Sequence, residues 1–399
     1  MARRALLSLG AITLVSACSD PQPARDETEE LQRQIDAAAR NGGGRVKLSG
    51  RRYHVTSLAL PSGIEMEGAS GTALVGLGRQ DLIVIPRESH DVAIAGVALH
   101  MGAGAAHGAL VREDCQRISF RDVSITGHGE GTGIDVRRGC AALTVERCQV
   151  SGVSTGIRVL GRANAVHIRD SRFEAWAQRA IALRSKGDEG RCVRIRLERN
   201  EIGPCRPGGR IRQPVQLAAS GGGYFRDVRV IDNTVRGPGT DDKDQGSSGT
   251  ADQISLHSSR QFTVSGNVVS SGGEVGITVA RGSRDGRVVD NECVGNDSAG
   301  IVIGSMTGDR VRNIVVRGNT CKDNGQNHGG HLPHTARSGI AVRNAEEVQV
   351  VRNELLSGSQ EYGVSIAASV RVITSQNDFN GAQAKAVYRF DKPTRTEDL

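Results

Sequence analysis

Aromatic residues are scarce in this 399-residue chain: one Trp, four Tyr and six Phe, 3% of the total. A core without large rings must be narrow and filled by Val, Ile, Leu and Ala. The same scarcity argues against nucleic acid as a partner, because almost no aromatic side chain interleaves the basic residues to stack on bases. The longest apolar run, Ala5 to Leu14, is too short to span a bilayer. No cysteine pair has the tight spacing of a zinc site.

What the chain does have is repetition. Asp252-Gln-Ile-Ser-Leu-His257, Gly276-Ile-Thr-Val279 and Gly300-Ile-Val-Ile303 repeat one short alternating phrase, and Ile254, Ile277 and Ile301 are spaced by 23 and 24 residues. Gly133-Ile134, Gly156-Ile157, Ala180-Ile181, Gly339-Ile340 and Gly363-Val364 extend the series. A second column reads Asn200, Asn233, Asn267, Asn291, Asn319, Asn353 and Asn377, with Val123, Cys148 and Ser171 in its earlier slots. Two-residue alternation bounded by Gly and Asn predicts short strands and turns. A fixed period of this length predicts units that bury their apolar faces only by stacking on one another. Propeller blades need a longer repeat of about 40 residues. The expected fold is all-β, a right-handed parallel β-helix in which buried asparagines at the bends hydrogen-bond from coil to coil.

Fifty-two glycines suit such turns, where positive φ is required. The net charge of +7, carried mostly by Arg, favours acidic polymers as partners. Beyond Cys18 there are seven cysteines. Cys115 and Cys140 share a repeat slot, as do Cys293 and Cys321, and stacked free thiols are expected there. Cys192 and Cys205 bracket a loop and are the better candidates for a disulfide.

The N-terminus carries Arg3-Arg4, the apolar run, and Val15-Ser-Ala-Cys18. This resembles a bacterial lipoprotein signal with its lipobox. The resemblance implies lipidation at Cys18, an anchor in the membrane, and an extracytoplasmic place on the periplasmic face of the outer membrane or at the cell surface. The expected organisation is a signal peptide over 1–18, a tether over 19–27, the β-helix over 28–392 and a polar tail over 393–399. Leu31, Ile35 and Ala38 or Ala39 share one face of an amphipathic helix from Thr28 to Arg40, ended by Asn41-Gly-Gly-Gly44 and expected to cap the first coil. With Gly42-Gly-Gly-Arg-Val-Lys-Leu48, Tyr53 and Leu60-Pro-Ser-Gly-Ile64, this opening resembles the pectate lyase-like superfamily. That resemblance implies a capped right-handed β-helix and, in most members, action on polysaccharides. It leaves the reaction open.

Two insertions interrupt the period, Arg236 to Ala251 and Lys322 to Arg337, and such loops commonly wall a binding cleft. The outward column Asp135, Arg158, Ala182, Gln216, Ser255, Thr278, Val302, Ala341 and the next, from Arg137 through Arg184 and His257 to Arg343, place the site around His257. There the small residues leave room for a sugar chain. Asp241, Asp242 and Asp244, with Asp252 and Glu274 nearby, form an oxygen-rich group suited to Ca²⁺. Candidate catalytic groups are His257, Asp252, Lys243, Glu274 and Arg281. Candidate substrate contacts are Arg158, Arg184, Gln216, Ser255 and Thr278, with the arginines either pairing with substrate carboxylates or tying coils together. His328, His331 and His334 are a possible transition-metal group. The leading reading is a lyase cleaving an acidic polysaccharide by β-elimination. The alternatives are a glycoside hydrolase using paired carboxylates and a non-catalytic glycan-binding or structural surface protein. Gly127-His-Gly129 matches a polygalacturonase motif, but its companion motifs are missing, as is the Asp-Pro-His signature of mannuronan epimerases.

Overall fold

A computed structural model describes residues 25–187, 190–206, 213–237, 252–305, 308–326, 337–356, 358–379 and 385–389. Among the described residues the strands stack into three sheets of 13, 12 and 13 strands, whose neighbouring strands run parallel. One coil shows the plan: Ser259–Ser265 in the first sheet, Val268–Ser270 in the second, Ile277–Ala280 in the third, then Arg284–Val289 back in the first. We call these sheets A, B and C. Strand spacing of about 4.8 Å makes the stack a rod about 60 Å long.

The alternation sends one set of side chains inward at every strand. Ile254, Leu256, Val264, Val269, Ile277 and Val279 are fully buried. The glycine before several of the sheet C isoleucines lets neighbouring coils approach: a Cβ on Gly276 would lie 2.5 Å from the Gly300 carbonyl oxygen, and one on Gly133 would lie 2.6 Å from that of Gly156. Phe262 shows how a sparse supply of rings is packed. Its side chain occupies the space above Gly286, its partner on the next coil.

The asparagine ladder runs between sheets A and B. Asn267 donates its backbone N–H (3.1 Å) and its side-chain Nδ2 (2.8 Å) to Asn291 Oδ1, and Nδ2 also donates to the Val230 carbonyl at 2.9 Å. Ser171 and Cys148 continue the column, with Cys148 N donating to Ser171 Oγ and Ser171 N to Asn200 Oδ1. A second ladder, not anticipated from the sequence, lies between sheets B and C. There Asn296 Nδ2 donates to Asn324 Oδ1 at 2.8 Å, and Asn324 Nδ2 reaches Gln360 Oε1 at 3.5 Å.

The helix spans Thr28–Arg40 and buries Leu31 and Ile35 against the first coil. Asp26 and Glu27, assigned to the tether by the sequence, are tied to the domain: Asp26 accepts from Thr56 Oγ1 at 2.9 Å and Glu27 pairs with Arg51 at 2.7 Å. Positive φ is not left to glycine alone. Asp122, Arg147, Asp170 and Arg199 adopt it on successive coils, and Arg147 and Arg199 each hold the preceding Asp through two hydrogen bonds. Cys293 and Cys321 are register partners and both are free thiols. The expected Cys192–Cys205 disulfide is not formed, because Cys192 is a free thiol that donates to the Gly161 carbonyl at 3.0 Å. The proposed signal peptide with Cys18, and the tail over 393–399, lie outside the described residues.

Candidate functional site

The outward column of sheet C has the register expected from the repeat: Asp135, Arg158, Ala182, Gln216, Ser255, Thr278, Val302 and Ala341 are successive partners. Over the middle of this face lies a trough of about 630 Å³, lined by Arg179, Arg184, Lys186, Gln216, His257 and Arg281 among others. Among its described lining residues there is no carboxylate. Arg184, Lys186 and Arg281 are exposed, whereas Arg179 and Gln216 are buried in its floor. Four cations around a concave floor create a positive field that attracts and orients anions. Planar guanidinium groups add bidentate pairing to carboxylates.

His257 ends the strand Ile254–His257, and its ring is half-buried at one end of the trough. Burial, then the charge of Arg281, pushes the ring down from its ordinary 6.5 to about 4. The imidazole is therefore neutral near pH 7 and can accept a proton. Its Nε2 lies 3.1 Å from Ser255 Oγ, two residues back on the same face.

Behind Ser255 sits a second charged group. Asp252 lies beside Thr278, Glu274 and Ser255, whose side chains favour its ionised form, and in the field of Arg343. Asp252 keeps some accessible surface but is densely surrounded by protein, and this burial raises its carboxyl above the ordinary range. Two carboxyl groups can hydrogen-bond each other only when one keeps its proton. Arg343 reaches this group by lying across Gly304, with Nε 3.5 Å from the Gly304 carbonyl oxygen.

The structure thus divides the residues singled out in the sequence. His257, Arg281, Arg184 and Gln216 meet in the trough. Asp252, Glu274, Ser255 and Thr278 form the supporting group behind it; Ser255 and Thr278 are buried and do not line the trough, contrary to their assignment as substrate contacts. Arg158 takes the other of its two expected roles, tying coils together. It pairs with Asp135 at 2.6 Å, and Asp135 in turn lies 3.2 Å from His107, whose other nitrogen is 2.7 Å from Asp81. This network braces successive coils. Burial works against ionisation of Asp135, but hydrogen bonds from His107 and Arg158 hold it down at about 2. Of the small residues around His257, Ala218 is half-buried, whereas Ser255, Thr278 and Ala280 are buried.

Lys243, Asp241, Asp242, Asp244, His328, His331 and His334 lie outside the described residues. Among the described residues no three His, Cys, Asp or Glu side chains converge to hold a metal. Asp252 and Glu274 lie beside one another and near Arg343. Arg179, Lys186 and Arg343 were missed as site residues. The usable signal for Arg343 was its column, in which the small Ala280 and Gly304 precede it and leave a path back along the face.

The family profile described as right handed beta helix region matches residues 107–379. The chain belongs to this family. No curated protein matches it significantly. Among solved structures, this right-handed β-helix is similar to the A-module of the mannuronan C-5 epimerase AlgE4 of Azotobacter vinelandii, with 14% identity, TM-score 0.54, and 94% of this chain and 96% of that one covered. It is also similar to the surface protein and adhesin PfbA of Streptococcus pneumoniae, with 14% identity, TM-score 0.63, and coverage of 92% and 97%. A third similar structure is a double mutant of the tailspike of E. coli bacteriophage HK620 in complex with pentasaccharide, with 14% identity, TM-score 0.58, and coverage of 92% and 77%. At this identity the shared property is the fold.

Proposed function

We propose that this right-handed β-helix is an exported, lipid-anchored enzyme that cleaves an anionic polysaccharide by β-elimination. The observation that carries the reading is the trough on sheet C: four cationic side chains and one neutral imidazole, with no carboxylate among its described lining residues. A neutral glycan would have no use for that field, and a glycosidase built on two flanking carboxylates would need them in the trough. The epimerase and the pentasaccharide-bound tailspike among the similar structures are in keeping with a glycan partner. The lipobox-like sequence ending at Cys18 supports export and anchoring.

In this reading Arg281 and Arg184 pair with the uronate carboxylate and lower the cost of forming an anion at C5. If Nε2–H of His257 donates to Ser255 Oγ and Ser255 donates on to Asp252, Nδ1 is left as the proton acceptor. His257 takes the C5 proton, the C5–H electron pair becomes the C4–C5 double bond, and the C4–O bond breaks with its electrons leaving on the oxygen. That oxygen is then protonated, and no water is consumed. A free ring with pKa about 4 is a weak base. Pairing of Arg281 with a substrate carboxylate removes part of the charge that depresses it and moves His257 toward its working range. The test is incubation with alginate, polygalacturonate, glycosaminoglycans and neutral glucans, reading ultraviolet absorbance and reducing ends together. An unsaturated product from one anionic polymer supports the reading; reducing ends without absorbance, or silence on all anionic polymers, contradicts it.

A further inference from the structure

We infer that the trough receives the end of a glycan chain, so that the protein works from chain termini and not within the chain. The inference rests on the glycan reading above and adds the mode of attack. It comes from an asymmetry along the axis of sheet C. Before His257 its own outward column is accessible: Arg184 is exposed and Ala218, its partner on the next coil, is half-buried, while Ala182 and Gln216 in the neighbouring column are already buried. Past His257 its own column closes, with Ala280 2% exposed, and the neighbouring column stays closed: Thr278 is 6% exposed and Val302, Ala341 and Ser365 are 0–1%. Gly304, next in the His257 column, is buried beneath Arg343.

The closing material is not polar floor awaiting a sugar. Val275, Ala299, Val302 and Ala341 form their own buried apolar cluster on this outer side, separate from the interior core. A chain lying along the axis would have to continue over Ala280 and Gly304 to be gripped in its middle, and those positions are covered. Displacing an apolar cluster to seat a hydrated sugar would cost its burial energy and gain no hydrogen bonds. At the opposite end no such apolar cluster stands among the described residues. The trough continues past Gly161 and Lys186, which also line a second hollow of about 250 Å³ bounded by Arg138 and Arg162. His257 and Arg281 therefore stand at the blind end, where the last sugars of a chain stop, while the body of the polymer leaves over Lys186 toward Arg138.

The experiment is a product analysis of the intact protein on long-chain and sized oligomers of alginate, polygalacturonate and a glycosaminoglycan, by size-exclusion chromatography and viscometry. End-on attack gives one short product of constant size from the first turnovers, leaves the long chains long and the viscosity nearly unchanged, and stops on chains carrying a bulky label at the attacked terminus. A ladder of intermediate sizes with an early fall in viscosity overturns the inference while leaving the lyase reading standing. If no polymer is cleaved, the lyase reading fails and the end-on claim is decided by titrating long and short chains at equal sugar concentration. Half-saturation that follows the concentration of chain ends supports it. Half-saturation that follows total sugar, or no binding by either length, overturns it.

Discussion

Ser255 Oγ stands 3.1 Å from His257 Nε2, and the same side chain is among the groups that favour the ionised Asp252 carboxylate, so one buried serine lies between the imidazole of the trough and the carboxyl pair behind it. A residue that only positions the base should affect turnover more than binding. Ser255→Ala is expected to lower kcat about 10- to 100-fold with KM little changed, and His257→Ala to lower it about 10²–10⁴-fold. Steady-state kinetics on the polymer that is cleaved checks both. Equal losses in KM would mean that Ser255 shapes binding and not the base.

His257 and His107 should give pH-dependent stability of opposite sign. His257 has its folded pKa lowered to about 4 from 6.5, by burial and then Arg281, so the unfolded chain binds its proton more readily. Its contribution is complete above the unfolded value and is lost as pH falls from 6.5 toward 4. Burial opposes the charge on His107, but hydrogen bonds to Asp135 and Asp81 prevail and raise its pKa. Its contribution is complete below 6.5 and is lost as pH rises through the raised folded value. The Tm difference between the wild type and His107→Gln should therefore be larger at about pH 6 than at about pH 9. A difference that is independent of pH would show that the Asp81–His107–Asp135 brace holds its coils by shape alone.

Asn267 receives two hydrogen bonds from Asn233 at its Oδ1 and gives others to Asn291 Oδ1 and to the Val230 carbonyl. Asn267→Ala leaves buried donors and acceptors unpaired on three coils and should cost about 3 kcal/mol by urea unfolding. Asn267→Ser should cost less, because Ser171 fills the same slot and still accepts from Cys148 N. Equal losses for the two variants would contradict the ladder as a chain of hydrogen bonds.

Phe262 and Gly286 form a complementary pair: a Cβ on Gly286 would lie 2.0 Å from Phe262 Cζ. Gly286→Ala should therefore destabilise by about 1–3 kcal/mol through overpacking. Phe262→Leu in the same chain should recover most of that loss, measured as a double-mutant cycle. Additive losses would mean that the two positions do not share one space.

Much of this arrangement was legible from the sequence because a parallel β-helix turns period into position. The helix Thr28–Arg40, the column from Asp135 to Ala341 and the asparagine ladder all follow from aligning repeats. What alignment cannot reveal is how a side chain travels once it leaves its strand. Column position points Asp252 and Glu274 toward a cleft, yet they face each other; it points Arg343 outward, yet Arg343 lies back over Gly304. The second ladder is short and ends in Gln360, so it leaves no long asparagine column in the sequence. The closing of the outer face past Ser255 has no sequence period at all. Positive φ at Asp122 and Arg147 escaped for another reason: the repeated coil geometry and the Arg–Asp pairs override the preference for glycine.

Whether the cationic trough around His257 holds an anionic glycan for elimination is decided by one comparison. The wild type and Arg281→Glu are incubated with the same panel of anionic polysaccharides, and the rise in ultraviolet absorbance of an unsaturated uronate is followed alongside glycan binding at low and high salt. The account predicts an absorbance rise for the wild type on at least one anionic polymer, binding that weakens with salt, and loss of both in the variant. Unchanged binding and cleavage in Arg281→Glu, or a wild type that binds neutral glucans as well as anionic polymers, would contradict it.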